Sequence, residues 1–402
     1  MRTRGILVAL VLLLVAAAPA TAARPGYSIP ADQMPTDVAT AKAMLQQARS
    51  WAPRGTLTQK DVNYVLRLAG KYLRPGVPAA RQATVERTLL VNAWWYTLRT
   101  GPIKRSIIRD PDGVLSTYWE GRGFAVNPVA TAGRWQGLNE NLSPEALAES
   151  LLPYGVERRW NGRRFLIWEY YDVPDHPGLV RPGASGMAQG RIAQLMARAY
   201  HRTGDRRFSD AARGALASFR VPVDRGGVVS VVAAPGLPQR PWFVERAYPG
   251  ASPWKGAALN GFMVTVLNLQ ATSPLLNSRP NRRATGPRED RARPRAPGAR
   301  QAGALAQRLA REGERSLQRY LPLHDTGSWS LYGLLTPGYK WRTHVADTGY
   351  HCYHVRLLRL LQTQAPGFDF RSWARRWDGY AARRGVSCER AKTTPQPGTV
   401  TG

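Results

Sequence analysis

The chain has 402 residues, with 57 Lys and Arg against 27 Asp and Glu, so its formal net charge is +30. This length allows a large hydrophobic core in one or two domains, and the charge attracts polyanions. Nucleic acid is excluded as the favoured partner, because the sequence has no nucleic-acid-binding motif and the Arg residues are spread over the whole chain. An acidic polysaccharide fits the charge better.

Residues 1–22 have the pattern of a secretory signal peptide. Arg2 and Arg4 precede an apolar run, which ends in the small residues Ala20-Thr21-Ala22. The run is short for a membrane span, and no later stretch is apolar enough to form one. We therefore expect cleavage after Ala22 and a secreted or extracytoplasmic protein with no membrane span.

Two regions with different periodicity follow. Residues 23–104 are predicted to be an N-terminal helical region, because apolar side chains recur every three or four positions. Residues 105–180 are predicted to be β-rich. Hairpins are expected to turn at Asp110-Pro111-Asp112-Gly113 and at Asn161-Gly162, because such residues favour tight turns.

Residues 181–385 return to the helical period. A helical hairpin is expected to turn at Thr203-Gly204-Asp205, and the short strand GGVVSVV follows it. Further helices are predicted near residues 257–271, 302–320, 345–363 and 370–384. Serial helical hairpins with a smaller β-rich region ahead of them predict a mainly α fold, an alpha/alpha toroid. A helical bundle or an irregular helical solenoid would give a similar pattern.

One segment interrupts this domain and another follows it. Residues 278–300 are rich in Arg and Pro and almost lack apolar residues, so a disordered surface insertion is expected there. Residues 386–402 form a C-terminal tail.

The chain has two cysteines, Cys352 and Cys388. Outside the cytoplasm such a pair can form a disulfide, and two free thiols are the alternative. His351 and His354 flank Cys352 without the spacing of a structural zinc site. The sequence predicts neither a metal site nor an organic cofactor, and a homodimer is compatible with it.

Asp325 and Asp347 each begin an Asp-Thr-Gly tripeptide, which is the signature of aspartic proteases. They lie only 22 positions apart, whereas a protease dyad takes one Asp from each of two similar lobes. The residues after Asp347 have the helical period rather than that of a strand. We therefore exclude an aspartic protease.

Three loops combine aromatic with polar side chains. They are WFVERAYPGASPWKGAALNGF (242–262), LHDTGSWSLYG (323–333) and HVADTGYHCYH (344–354). In a toroid such loops meet at one end of the axis, where aromatic faces stack on sugar rings and polar groups bind hydroxyls. The alternative is that these residues are core aromatics with hydrogen-bonded tips.

Four motifs, in chain order, resemble the C-terminal catalytic domain of the D-glucuronyl C5-epimerases. They are GMAQG (186–190), ERAYP (245–249) with LNGF (259–262), LPLHDTGSWSLYGL (321–334) and GYHCYHVRLLRLL (349–361). The segment GRGFAVNPVATAGRW (121–135) is similar to the region ahead of that domain. The resemblance covers residues 185–385 and implies an alpha/alpha toroid in a secreted bacterial homologue.

The resemblance also implies a reaction and a substrate. A polymer-level uronate C5-epimerase removes the C5 proton of a D-glucuronate residue and returns a proton to the other face, giving L-iduronate. The implied substrate is an acidic polysaccharide such as heparosan or heparan sulfate, a glycosaminoglycan. Such a site needs a base, an acid and groups that neutralise the carboxylate.

Tyr248, Tyr332 and Tyr350 match the family's functional tyrosines, and polar or aromatic residues of the same motifs, together with nearby arginines, are predicted to complete the site. The predicted catalytic residues are Tyr248, Tyr332, Tyr350 and Glu245. The predicted substrate-binding residues are Arg246, Arg342, Arg122, Asn260, Gln189, Trp329 and His351. Nearby arginines are expected to lower the pKa of the tyrosines, whose ordinary value of about 10 is high for a base.

Two positions depart from the family. Ala247 stands where the family has a Glu directly before the first tyrosine, so the nearest acid is Glu245. Leu335 stands where the family has an Arg shortly after the second tyrosine. The alternatives to an epimerase are an exported non-catalytic acidic-polysaccharide-binding protein and a uronate polysaccharide lyase on the same toroid. A lyase begins with the same proton abstraction.

Overall fold

The computed structural model describes residues 26–99, 101, 104, 106–133, 141–171, 182–232, 239–248, 258–280, 296, 298–334 and 344–389. The predicted signal peptide and most of the predicted insertion lie outside these residues. None of the helices in the described ranges combines the length and the apolar character that a bilayer span requires.

The described part of the chain is mainly helical, as predicted, with eleven α-helices and eight short strands. The helices are α1 (Val38–Trp51), α2 (Leu57–Tyr72), α3 (Ala79–Thr97), α4 (Pro128–Thr131), α5 (Pro144–Leu151), α6 (Gly186–Thr203), α7 (Arg206–Ala217), α8 (Leu259–Asn277), α9 (Ala299–Tyr320), α10 (Thr348–Gln364) and α11 (Phe370–Arg383). The strands are β1 (Gly26–Ser28), β2 (Ile107–Arg109), β3 (Leu115–Trp119), β4 (Gly123–Val126), β5 (Gly155–Trp160), β6 (Arg163–Trp168), β7 (Val229–Val232) and β8 (Arg240–Phe243).

Helices α1 to α3 pack with a four-stranded sheet of order β1-β2-β3-β4 around one hydrophobic core. The buried carboxylate of Asp61 on α2 joins the two layers. It accepts hydrogen bonds from the hydroxyls of Tyr96 at 2.7 Å and Tyr118 at 2.8 Å, and from the Gly123 amide at 3.0 Å. Three donors compensate the desolvation of this carboxylate, which fixes strands β3 and β4 against the helices.

Both predicted hairpins are present. Strands β2 and β3 pair antiparallel, and so do β5 and β6, which turn at Asn161-Gly162. Asn161 has φ 46° and Gly162 has φ 73°, as a type I′ turn requires. Glu169, just after β6, forms ion pairs with Arg81 of α3 at 2.7 Å and with Arg158 of β5 at 2.5 Å. The buried Glu169 therefore ties the hairpin to the N-terminal helices.

Helices α6 to α11 contain the larger core, and α8 lies at its centre, packed against α6, α9 and α10. Helix α9 approaches α8 so closely at Gly313 that a Cβ there would lie 2.4 Å from a methyl carbon of Val266. The predicted hairpin of α6 and α7 turns at Gly204, which has φ 71° and ends α6. The toroidal arrangement of these hairpins stays a prediction.

Three local features differ from the sequence prediction or complete it. Helix α9 begins at Ala299, inside the predicted insertion, because Ala299 and Ala302 pack into the core. Strand β7 pairs with an unpredicted strand, β8. Cys352 and Cys388 form a disulfide with a Cα–Cα distance of 4.9 Å, so the first of the two cysteine alternatives is the one found.

Candidate active site

An extended segment ahead of α6 forms one wall of the candidate site. Gly183 and Tyr170 exchange two backbone hydrogen bonds of 2.9 Å, and Ala184 exchanges two of 2.8 Å with Ala247. A Cβ on Gly183 would lie 1.9 Å from a ring carbon of Tyr248, so only glycine lets this ring lie directly on the backbone. This pairing places residues 245–248 beside the N-terminus of α6.

A cleft opens at this place, between the β3–β4 hairpin, α4 and the beginning of α6. Its lining residues are Trp119, Asn127, Val129, Tyr170, Ala184, Ser185, Met187, Glu245, Arg246 and Tyr248. The Arg246 guanidinium carbon lies 5.5 Å from the centre of the Trp119 ring, a cation–π contact. The cleft therefore combines aromatic faces with one acidic and one basic side chain.

Glu245 is the buried acid of this cleft, with 6% of the residue exposed. Its Oε2 makes no hydrogen bond within the described residues. A Cβ on Gly261 of α8 would lie 2.5 Å from this oxygen, so the carboxylate packs against bare backbone. Burial raises the pKa of Glu245 to about 7, and the charge of Arg246 offsets only part of this effect.

Tyr332 and Tyr350 form a pair whose ring centres are 4.7 Å apart, edge to face. The backbone of Tyr332 is bonded on both sides: its carbonyl accepts from the Leu259 amide at 2.8 Å, and its amide donates to the His344 carbonyl at 2.7 Å. Asp347 caps α10 by accepting from the Tyr350 amide at 2.7 Å. These bonds hold the loop after α9 and the start of α10 against the first turn of α8.

Burial, and after it the charge of Glu245, raises the pKa of Tyr332 well above its ordinary value. The prediction that arginines lower the pKa of the tyrosines is wrong for Tyr332, because the charge of Arg246 is outweighed by desolvation. The charge of Glu245 therefore acts on Tyr332, although neither Tyr332 nor Tyr350 is among the residues that line the cleft.

A cluster of buried histidines packs under the loop after α9 that carries Tyr332. The hydroxyl of Ser330 lies 2.8 Å from Nδ1 of His351 and 2.9 Å from Nδ1 of His354. Nε2 of His351 lies 2.9 Å from the Trp377 carbonyl, and Nδ1 of His324 lies 3.3 Å from the Leu331 carbonyl. Burial lowers the pKa of His324 to about 4 and that of His354 well below its ordinary value. This cluster is therefore neutral in the folded protein at pH 7.

Several predicted substrate-binding residues lie in supporting positions. The Trp329 ring stacks on His351 at 3.6 Å, and its Nε1 donates to the Ala346 carbonyl at 2.7 Å. Gln189 is fully buried, and its amide nitrogen donates to the Leu166 carbonyl at 2.7 Å. These side chains hold the walls of the site together and do not line the cleft.

The other predicted residues are placed as follows. Asn260 is buried at the start of α8, beside Gly261, and its Oδ1 makes no hydrogen bond within the described residues. Arg122 follows Trp119 in the β3–β4 turn. Arg342 lies outside the described residues, as does Leu335. No group of three or more His, Cys, Asp or Glu in the described ranges could hold a metal ion.

The two Asp-Thr-Gly tripeptides have separate structural roles. Asp325 pairs with Arg376 of α11 at 3.0 Å and accepts from the Tyr380 hydroxyl at 3.3 Å. Asp347 is the N-cap of α10. These separate roles agree with the inference from the sequence that the two Asp residues are not a protease dyad.

The sequence analysis missed two polar residues beside the cleft. Arg191 of α6 donates to the carbonyl of Val129, a cleft residue, at 3.5 Å. Tyr353 of α10 lies where both Arg191 and Glu245 influence its pKa, which burial raises. Arg191 directly follows the GMAQG motif and Tyr353 lies within GYHCYHVRLLRLL, but neither motif shows that these two side chains lie beside the cleft.

Comparison with known proteins agrees with the motifs. The family profile described as D-glucuronyl C5-epimerase C-terminus matches residues 164–379, from β6 into α11. The chain is 29% identical over 198 residues to a D-glucuronyl C5-epimerase of Caenorhabditis elegans, a match that covers 49% of the chain and 28% of that relative. It is 25% identical over 197 residues to an uncharacterized protein of Methanocaldococcus jannaschii, with 49% of the chain and 52% of the relative covered. The chain thus spans less than two thirds of either relative's length.

The buried histidines predict how the stability of the fold depends on pH. His324 has a folded-state pKa of about 4, whereas a histidine in an unfolded chain has a value of about 6.5. The unfolded state therefore binds more protons between these values, and stability is lost as the pH falls from about 6.5 to 4. The expected loss from His324 alone is about 3 kcal/mol.

This effect is measured as a difference between two proteins. The free energy of urea unfolding of the wild type and of His324→Gln is compared at pH 7, 5.5 and 4. The raised pKa of Glu245 acts in the opposite direction but is common to both proteins, so it cancels. The stability advantage of the wild type should shrink with acidification. A difference that stays constant from pH 7 to 4 would contradict the prediction.

Proposed function

The chain belongs to the family of the D-glucuronyl C5-epimerase C-terminus, whose profile covers more than half of its residues, and we propose that it is a uronate C5-epimerase. It would convert D-glucuronate residues of a heparosan-like polymer to L-iduronate. The observation that carries this proposal is the buried Glu245, a carboxylate with a pKa of about 7 on the wall of the cleft.

Glu245 is the proposed base. The C5 proton is only weakly acidic, because it lies next to a carboxylate that is already charged. A carboxyl group with a pKa of about 7 titrates near neutral pH and is a stronger base than an exposed glutamate. Glu245 would take the C5 proton, and the electron pair of the C–H bond would move onto the substrate carboxylate.

Arg246 is proposed to stabilise that charge. Its guanidinium lines the cleft next to Glu245 and lies over Trp119. A fixed positive charge in a partly dry cleft favours the doubly charged, enolate-like form of the substrate more than its ground state. Tyr248, which also lines the cleft, offers a ring face for the sugar.

Tyr350 is the proposed acid. It is more exposed than Tyr332, which packs against it, and a phenol is protonated at neutral pH. Tyr350 would give its proton to C5 on the face opposite Glu245, and the tyrosinate would regain a proton before the next turnover. Tyr332, which packs against Tyr350 and whose pKa is raised well above its ordinary value, would stay protonated.

The departure at Ala247 is compatible with this assignment. Ala247 is buried and bonded through its backbone to Ala184, so it contributes no polar group. Glu245 lines the cleft together with Tyr248. The same short segment therefore supplies a carboxylate to the cleft from a position two residues earlier.

We further propose that the protein is exported. The signal-peptide pattern ends at Ala22, and the buried Cys352–Cys388 disulfide fits an oxidising compartment. N-terminal sequencing of the protein from the culture medium or periplasm should begin at Ala23. An intact Met1 on protein that remains in the cytoplasm would contradict export.

Deuterium exchange tests the proposed reaction. In heavy water, with heparosan as substrate, an epimerase should place deuterium at C5 and produce iduronate without shortening the polymer, because only the C5–H bond is broken and remade. NMR of the product measures both changes. A lyase would shorten the polymer and leave a 4,5-unsaturated end, and a binding protein would retain the polymer without exchange. If the protein binds several uronate polymers but places no deuterium at C5 of any of them, the proposal is wrong.

Three variants make this experiment specific to the assigned residues. Glu245→Gln and Tyr350→Phe should each lower deuterium uptake at least about a hundredfold, because each removes one proton-transfer group. Polymer affinity should stay within about tenfold in both variants. Tyr27→Phe is the matched control, since Tyr27 packs on Trp95 in the N-terminal region. Equal loss in all three variants would disprove the assignment.

A further inference from the structure

Arg191 of α6 is a part-buried arginine without an acidic partner. No carboxylate of the described residues lies within ion-pairing distance of its guanidinium. Its hydrogen bond to the Val129 carbonyl, at 3.5 Å, is at the limit of such bonds. Burial lowers the pKa of Arg191, and the neighbouring Tyr353 and Tyr170 offset only part of this effect. A buried cation whose charge is not compensated raises the free energy of the folded protein.

The guanidinium lies directly behind the cleft wall. Three residues that line the cleft place the guanidinium there: Val129, Tyr170 and Met187. The carbonyl of Val129 accepts a hydrogen bond from Arg191, and the charge of Tyr170 affects the pKa of Arg191. Met187 lies one helical turn before Arg191 on α6. A Cβ on Gly133 would lie 2.5 Å from Nη1 of Arg191, so the absence of a side chain at Gly133 makes room for the arginine.

The N-terminus of α6 adds to the positive potential at this place. Ala184, Ser185 and Met187, around the first residue of α6, all line the cleft. The partial positive charge at a helix N-terminus favours an anion there, and so does the nearby guanidinium. The anion that the proposed substrate carries on every uronate residue is a carboxylate, whose two oxygens match the geometry of a guanidinium.

We propose that Arg191 binds a uronate carboxylate of the polymer and thereby selects an acidic over a neutral polysaccharide. The carboxylate would replace the long bond to the Val129 carbonyl and compensate the buried charge. This inference rests on the proposed function for its substrate class, but it concerns binding and is independent of turnover.

Binding measurements with two probes test the proposal. The probes are a heparosan oligosaccharide and the same oligosaccharide with its carboxylates reduced to alcohols. Arg191→Met keeps an unbranched side chain at this position and removes the guanidinium charge. The ratio of the two affinities should fall at least about tenfold in this variant, because only the acidic probe loses a charge-assisted bond. The ratio is independent of the fraction of protein that is folded.

Arg198→Met is the matched control, because Arg198 lies on the exposed side of the same helix. It should change the affinity ratio less than about twofold at physiological salt, where distant charges are screened. The melting temperature of Arg191→Met should be equal to or above that of the wild type, since a charge without a partner has been removed. Arg191→Lys should retain part of the preference for the acidic probe.

An affinity ratio in Arg191→Met equal to that in Arg198→Met would overturn the proposal, whatever the melting temperature. A lowered melting temperature with an unchanged ratio would instead make Arg191 a structural residue that holds α4. A protein that exchanges no deuterium but shows the Arg191-dependent ratio would refute the epimerase and leave this binding role standing.

Discussion

The burial of Glu245 is the constraint on which the candidate site depends. Raising the pKa of a carboxyl group from its ordinary value to about 7 corresponds to about 3 kcal/mol of destabilisation of its charged form. Gly261 lets the carboxylate pack against bare backbone of α8, where solvent cannot reach Oε2. The desolvation that makes the ionised form of Glu245 costly also makes that form a base near neutral pH. Desolvation likewise raises the pKa of Tyr332.

The rest of the fold holds two loops against this carboxylate. The first, residues 245–248, is fixed by backbone pairing with Ala184, and the second, which carries Tyr332, by pairing with the first turn of α8. Below the second loop, Ser330 and the buried histidines connect it to α10, and Asp325 connects it to α11. The Cys352–Cys388 disulfide links α10 to the chain after α11. Each connection restricts the tyrosine pair, and the proposed proton transfer depends on the position of that pair relative to Glu245.

Local rules made much of the fold predictable. Asn161-Gly162 and Gly204 adopt the left-handed backbone that their turns require, and the helical period located α6 to α11 within a few residues. The beginning of α9 and the partner of β7 could not be predicted locally, because the tertiary burial of Ala299 and the pairing with β8 determine them. The arrangement of the helices in space depends on long-range packing, for which a periodicity carries no information.

The residues of the candidate site were predictable where they belong to sequence motifs with a chemical role. Glu245, Arg246 and Tyr248 do line the cleft, and Tyr332 packs with Tyr350. Gln189, Trp329 and His351 belong to equally distinctive motifs but are buried with their polar atoms bonded, because motifs also preserve the supports of a site. Arg191 was missed for the opposite reason: its surroundings, and not its sequence context, make it unusual. Charge state was the least predictable property, since desolvation of Tyr332 outweighs the charge of Arg246.

The titration of the Glu245 carboxyl group tests the central claim most directly. Selective ¹³C labelling of glutamate and NMR between pH 3 and 9 would follow its carboxyl carbon, and the spectrum of Glu245→Gln would assign the signal. The account predicts a midpoint near 7, well above that of the exposed glutamates in the same spectrum. A midpoint near the ordinary value of about 4.3 would mean that water reaches the carboxylate, and Glu245 would then be no better a base than any surface glutamate.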